Sequence, residues 1–140
     1  MSSHLHTARR SMSPVRSYRD LVVWQKSMAL VTEVYRRTER FPKAETFGLT
    51  TQLRRAAVSI PSNVAEGQGR LSTGEFKQFL GHARGSLLEL ETQILIAQEL
   101  GYLHAAEGHE LLEHAAETPE WIAGFPLNST WYGVLLATDH

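Results

Sequence analysis

A proline sits in the middle of the stretch that most limits how this chain can fold: Leu53 to Arg70, reading LRRAAVSIPSNVAEGQGR. Leu53, Ala57, Ile60 and Val64 recur at steps of three or four, so on a helix they share one face, with Arg55, Ser59, Ser62, Asn63 and Glu66 on the neighbouring and opposite faces. Pro61 lacks an amide donor and presses on the carbonyl four residues back, that of Ala57, which costs ~3 kcal/mol in an ordinary helix interior. The apolar stripe keeps its phase across the proline, so the spacing predicts a helix that runs through with a kink. Ser59, Ser62 and Asn63 are the short polar side chains available to satisfy freed backbone groups. Gly67 and Gly69 supply the stop.

The remaining segments read as further helices. Ser17 with Asp20 opens the first in the manner of a capping box, and Leu21, Trp24, Met28, Val31 and Val34 or Tyr35 carry its stripe to about Arg40 before Phe41-Pro42 ends it. The proline-bearing helix begins near Glu45 or Thr46. Ser72 with Glu75 opens the third, whose stripe (Phe76, Leu80, Ala83, Leu87, Leu90, Ile94, Ala97) is the longest in the chain and closes at Gly101. Gly81 and Gly85 stand four apart inside it, each costing ~1 kcal/mol against alanine, a cost expected where another backbone comes close. The second and third helices are therefore predicted to pack along this glycine pair, with Arg84 at its edge and Glu89 or Glu91 within reach of Arg54 or Arg55, from the same chain or a neighbouring one. Ala105 to Thr118 forms the fourth helix, using Leu111, Leu112 and Ala115. The expected fold is all-α, an up-and-down antiparallel four-helix bundle over residues 17–127, preceded by a disordered basic leader (1–16) and followed by a variable tail (128–140).

Charge is divided along the chain. All 14 Lys and Arg lie between Arg9 and Arg84 against six acids, a net of +8 for residues 1–85, whereas residues 86–140 hold nine acids and no Lys or Arg, a net of −9. Such asymmetry points to a polyanion partner or to like chains meeting plus to minus; the plainer alternative is two halves that fold against each other. The zero cysteines exclude disulfides and thiolate metal sites and suit a reducing cytoplasm, and no run of apolar residues is long enough to span a membrane.

Catalytic chemistry finds little to build on. His109 and His114 flank Glu110 but stand five apart, about 140° around a helix, where a zinc protease motif needs four. Ser59, Ser62 and Ser86 lack a nucleophile-elbow context, and Gly67-Gln68-Gly69 is a turn without the rest of a phosphate-loop fingerprint. Glu66, Glu89 and Glu91 lack the Glu-x-x-His repeat of di-metal bundles. The reading is a non-enzymatic protein with no cofactor and no metal.

The ordered set Arg54-Arg55-Ala56-Ala57-Val58-Ser59-Ile60-Pro61-Ser62-Asn63-Val64-Ala65-Glu66-Gly67, then Arg70, Glu75-Phe76, Ala83-Arg84-Gly85-Ser86, Glu89-Leu90-Glu91-Thr92 and Leu100-Gly101-Tyr102, resembles a bacterial four-helix-bundle family. That family is the 23S rRNA intervening-sequence proteins, similar to the accessory variability determinant protein of diversity-generating retroelements, and the resemblance spans about residues 17–103. It implies a closed homo-oligomer, a pentamer, able to contact nucleic acid and a reverse transcriptase. The motif residues Ser59, Pro61, Asn63, Glu66, Gly85 and Glu89 are then structural. The candidate nucleic-acid contacts, for structured RNA or DNA at low sequence specificity, are Arg36, Arg37, Arg40, Arg54, Arg55, Arg70, Lys77 and Arg84. The competing expectation is a scaffold that presents Trp121, Phe125 and Trp131 to another polypeptide.

Overall fold

The computed structural model describes residues 17–70 and 72–117, which form four α-helices and two short 3-10 turns. The helices are α1 (Val22–Thr38), α2 (Leu49–Gln68), α3 (Thr73–Glu99) and α4 (Ala105–Ala116). Each packs against its sequence neighbours, and α4 closes the arrangement by lying against α1. The result is the expected four-helix bundle, with no strand among the described residues. The leader (1–16), residues 118–127 with Trp121 and Phe125, and the tail (128–140) with Trp131 lie outside the described residues.

The termini follow from local chemistry. Ser17 and Asp20 do form a capping box, but around the 3-10 turn Tyr18–Asp20, so α1 starts only at Val22. Ser72 Oγ accepts from the Glu75 amide at 3.1 Å and opens α3. Gly101 ends that helix with φ of 78°, a conformation that an L side chain resists. The amides at the start of α2 have no cap from Gly48, and Glu45 reaches forward instead, its Oε1 accepting from Leu49 N at 3.1 Å. Glu45 Oε2 accepts from the Tyr102 hydroxyl at 2.9 Å, tying the α1–α2 connection to the α3–α4 connection at one end of the bundle. That bond raises the Tyr102 pKa above its ordinary value, with burial and the Glu45 charge adding to it.

The helix runs through the proline, as the stripe predicts: α2 is continuous through Pro61, which is buried. Around it, Ser62 Oγ donates to Val58 O at 2.8 Å and Asn63 Nδ2 donates to Ser59 O at 2.8 Å, so side chains add bonds to the carbonyls just beyond the one that Pro61 cannot engage. Asn63 Nδ2 also donates to Ser59 Oγ at 2.9 Å, and Ser86 Oγ of α3 donates to the same oxygen at 2.8 Å. The polar members of the motif therefore stitch α2 to itself and to α3.

The glycine prediction is corrected. A Cβ at Gly81 or Gly85 would meet nothing within 4 Å, and both residues are exposed. They lie opposite the α3 stripe that faces the core, so the helix pays their propensity cost without a backbone neighbour among the described residues. The close approach is at Gly67, where a Cβ would sit 2.8 Å from Phe79 Cβ and 3.1 Å from Phe76 Cδ1. Gly108 plays the same part for α4, where a Cβ would run into the Gln98 side chain.

Gly67→Ala should lower the unfolding free energy by about 1–3 kcal/mol, because the obstructing atom is a Cβ held close to the α3 backbone. Gly81→Ala should raise it by about 0.5–1 kcal/mol through helix propensity alone. Urea unfolding of the two variants reads both signs.

Candidate nucleic-acid interface

The eight cationic candidates divide into those that the fold engages and those that it leaves open. At the end of α1, Arg37 Nη1 lies 3.1 Å from Glu107 Oε2 and Nη2 lies 2.6 Å from Glu110 Oε2, with Glu33 Oε2 at 3.6 Å from Nε. Arg40 pairs with Glu107, and Arg36 with Glu33 one turn back. At the other end of the same seam Lys26 lies 3.8 Å from Glu117, as antiparallel packing of α1 and α4 requires. The two charged halves of the chain thus meet inside one subunit along α1 and α4.

Glu107 is the centre of this seam. Its side chain is 13% exposed; Oε2 receives the two arginines while Oε1 accepts from the His104 amide at 3.2 Å and opens α4. That backbone bond holds its pKa below the usual carboxylate value; burial opposes it, and Arg40 and Arg37 add to the lowering.

Arg70 is engaged locally, 3.6 Å from Glu66 and 4.6 Å over the Phe79 ring. Arg54 turns toward α1, where its guanidinium stacks 4.5 Å from the Tyr35 ring centroid. Its Nε donates to Thr38 Oγ1 at 2.9 Å and its Nη2 to Tyr35 O at 3.3 Å. No carboxylate pairs with it among the described residues. The expected pairing of Arg54 or Arg55 with Glu89 or Glu91 is absent within this subunit. Arg54 faces α1 rather than α3, and Glu89 instead accepts from the buried Gln93 amide at 3.1 Å. Arg55 and Arg84 are exposed and Lys77 half-exposed, and none has an ion-pair partner among the described residues.

Two surfaces carry the open cations. Between α1 and α2 a cleft of about 490 Å³ is lined by Tyr35, Thr51, Arg54, Arg55, Val58 and Ser59. On α3, Lys77 and Arg84 flank an outward row of Gly81, Gly85, Leu88, Thr92 and Leu95, in which Leu88 and Leu95 are each 51% exposed. Sequence reasoning missed Thr51 and Val58 as site residues and assigned Tyr35 to the apolar stripe of the first helix, because nothing in their spacing ties them to Arg54. It missed Glu107 although the signal was present, since an acidic last helix in a closed up-and-down bundle must lie beside the first. Among the described residues no three His, Asp or Glu side chains form a group that could hold a metal ion, and no helix is long and apolar enough to cross a membrane.

Comparison with known proteins places this geometry. The family described as 23S rRNA-intervening sequence protein matches residues 19–124. A solved structure described as a protein with unknown function from the S23 ribosomal protein family, from Bacteroides thetaiotaomicron, superposes with a TM-score of 0.66 at 19% identity. The likeness covers 74% of this chain and 96% of that one, and at this identity it speaks for the fold. No curated protein matches the chain.

The α1–α4 seam generates a pH dependence. The Glu107 pKa is lower folded than unfolded, so its stabilisation is fully present above the ordinary value of 4.5 and is lost as pH falls through the lower, folded value. Glu107→Gln should therefore cost about 1–2 kcal/mol in urea unfolding at neutral pH. The gap to the parent chain should shrink once the medium is acidified below that range.

Proposed function

We propose that this chain, which belongs to the 23S rRNA-intervening sequence protein family, is a non-enzymatic, self-associating binding protein of the cytoplasm that holds structured RNA or DNA through cations its own fold leaves unpaired. The observation that carries the reading is the sorting of basic residues. Arg36, Arg37, Arg40 and Arg70 have carboxylate partners, whereas Arg54, Arg55, Lys77 and Arg84 have none among the described residues. A cation without a counter-ion is the group that releases bound salt when it meets a phosphate, and contacts of that kind discriminate little between sequences. The family's description as 23S rRNA-intervening sequence protein fits a nucleic-acid setting.

Self-association draws support from α3. Among the described residues nothing lies within 4 Å of a Cβ placed at Gly81 or Gly85, Leu88 and Leu95 in the same outward row are each 51% exposed, and Glu89 and Glu91 beside it provide charges opposite to Arg55 and Arg84. Two different faces meeting head to tail close into a ring, and we take the ring to be a pentamer. The competing reading is a scaffold that presents Trp121, Phe125 and Trp131, which lie outside the described residues, to another polypeptide such as a reverse transcriptase.

Filter binding of a structured RNA hairpin at two salt concentrations tests the function. Retention at low ionic strength should fall by roughly tenfold or more on raising salt from 50 to 200 mM, as expected for about three or four phosphate contacts. Absence of retention at low salt would remove the nucleic-acid reading. Sedimentation in the same two buffers reads the self-association, which a monomer in both would overturn.

A further inference from the structure

The cleft between α1 and α2 holds an arginine that the fold positions without neutralising. Arg37 and Arg54 are both half-buried, yet Arg37 gathers Glu33, Glu107 and Glu110 while Arg54 meets only a hydroxyl, a carbonyl and a ring face. Thr38 is itself fixed, its Oγ1 donating to Val34 O at 2.8 Å, so its lone pair is aimed at Arg54 Nε. The guanidinium plane is therefore set before any ligand arrives. Of its five N–H groups, the bonds to Thr38 and Tyr35 use two, and the others are free to form the paired contact that this fork makes with a phosphate. Arg55, on the next position of α2, brings a second unpaired cation to the same cleft.

The rest of the lining is not what a bare anion would need. Tyr35 is 41% exposed and Val58 39% exposed, which gives the cleft an aromatic and an aliphatic wall, while Thr51 and Ser59 add hydroxyls. About 490 Å³ is far more than one phosphate fills. An aromatic or arginine face is the platform on which an unpaired base stacks.

From this juxtaposition we infer that the cleft receives one nucleotide unit, its phosphate on Arg54 and Arg55 and its base against Tyr35 and Val58. The inference deepens the nucleic-acid reading and rests on it. It assigns to each subunit a position for a single splayed nucleotide, separate from the diffuse contacts of Lys77 and Arg84 on α3. The same unit arrives either as a free mononucleotide or as part of a strand.

The test uses the full chain with three probes: adenosine 5′-monophosphate, a labelled short oligoadenylate and inorganic phosphate. Affinity is read by anisotropy or calorimetry, and occupancy by the Val58 methyl resonances. Arg55→Gln and Tyr35→Leu alter exposed positions, so folding is preserved, and each should weaken oligoadenylate about tenfold. Arg84→Gln, outside the cleft, should weaken it less than about threefold. Arg54→Lys keeps the charge but loses the fork and should weaken binding as Arg55→Gln does. Val58 shifts with adenosine monophosphate alone support a free nucleotide, and shifts with oligoadenylate only support a strand. Equal shifts with inorganic phosphate would overturn the base contact. If oligoadenylate binds but responds to Arg84→Gln and not to the cleft variants, the cleft inference falls while the nucleic-acid reading stands. If hairpin, oligoadenylate and adenosine monophosphate all fail to bind, both fall. If the cleft variants change the sedimentation of the protein and not its RNA affinity, the cleft is a subunit contact and the inference is overturned.

Discussion

The approach of α2 to α3 at Gly67 sets the geometry on which the other contacts depend. With no Cβ in the way, Phe76 and Phe79 close over the end of α2, and two turns back along α2 and two turns onward along α3, Ser59 and Ser86 come into hydrogen-bonding range. These two points fix both the register and the rotation of α2. Once they are fixed, Ile60 and Val64 must point to the core and Arg54 must turn toward α1. The helix tolerates Pro61 because that residue is buried on the side of α2 that faces Trp24, Met28 and Val31, and because Ser62 and Asn63 bond the adjacent carbonyls. Packing of this extent outweighs a local cost of ~3 kcal/mol.

Rotation of α2 also decides which charges remain available. Arginines on α1 look across to an acidic α4 and are taken up there, at a seam centred on the Glu107 carboxylate. Arg54 and Arg55 on α2 look into the α1–α2 cleft and Arg84 on α3 looks outward, and no glutamate comes within ion-pairing distance of these three among the described residues. The charge asymmetry of the sequence therefore serves two ends: part of it closes the bundle, and the remainder stays available to a partner. Local neutrality at one seam and unpaired cations elsewhere can coexist in a chain of net charge −1, and the average conceals both.

Much of this was legible from residue order. The apolar stripes of α2, α3 and α4, the Ser72 cap, the Gly101 stop and passage of the helix through Pro61 all follow from spacing and side-chain chemistry. The α1 stripe instead falls one residue earlier than predicted: Val23, Ser27, Leu30 and Val34 are buried while Met28 and Tyr35 are each 41% exposed. What misled was glycine. Gly81 and Gly85 look like a packing notch, whereas Gly67 looks like a simple stop, and only the phase of each against its own helix separates them. That phase was available, since Gly81 and Gly85 fall opposite Leu80, Leu87 and Leu90. The pairing of Arg37 and Arg40 with Glu107 was legible in kind but not in identity, because it spans 70 and 67 residues and depends on where a short α4 lies along α1. The Arg54–Tyr35 stack, 19 residues apart across a turn, has no signature in spacing at all.

The distinction between engaged and open cations is tested most directly by the salt dependence of RNA hairpin binding in Arg40→Gln beside the double variant Lys77→Gln, Arg84→Gln. The account predicts that removing Arg40, already paired with Glu107, leaves the slope of log affinity against log salt unchanged. The double variant should flatten that slope by about one for each cation removed. An Arg40→Gln slope that flattens as much as the other, or a double variant that keeps the parent slope, would contradict it.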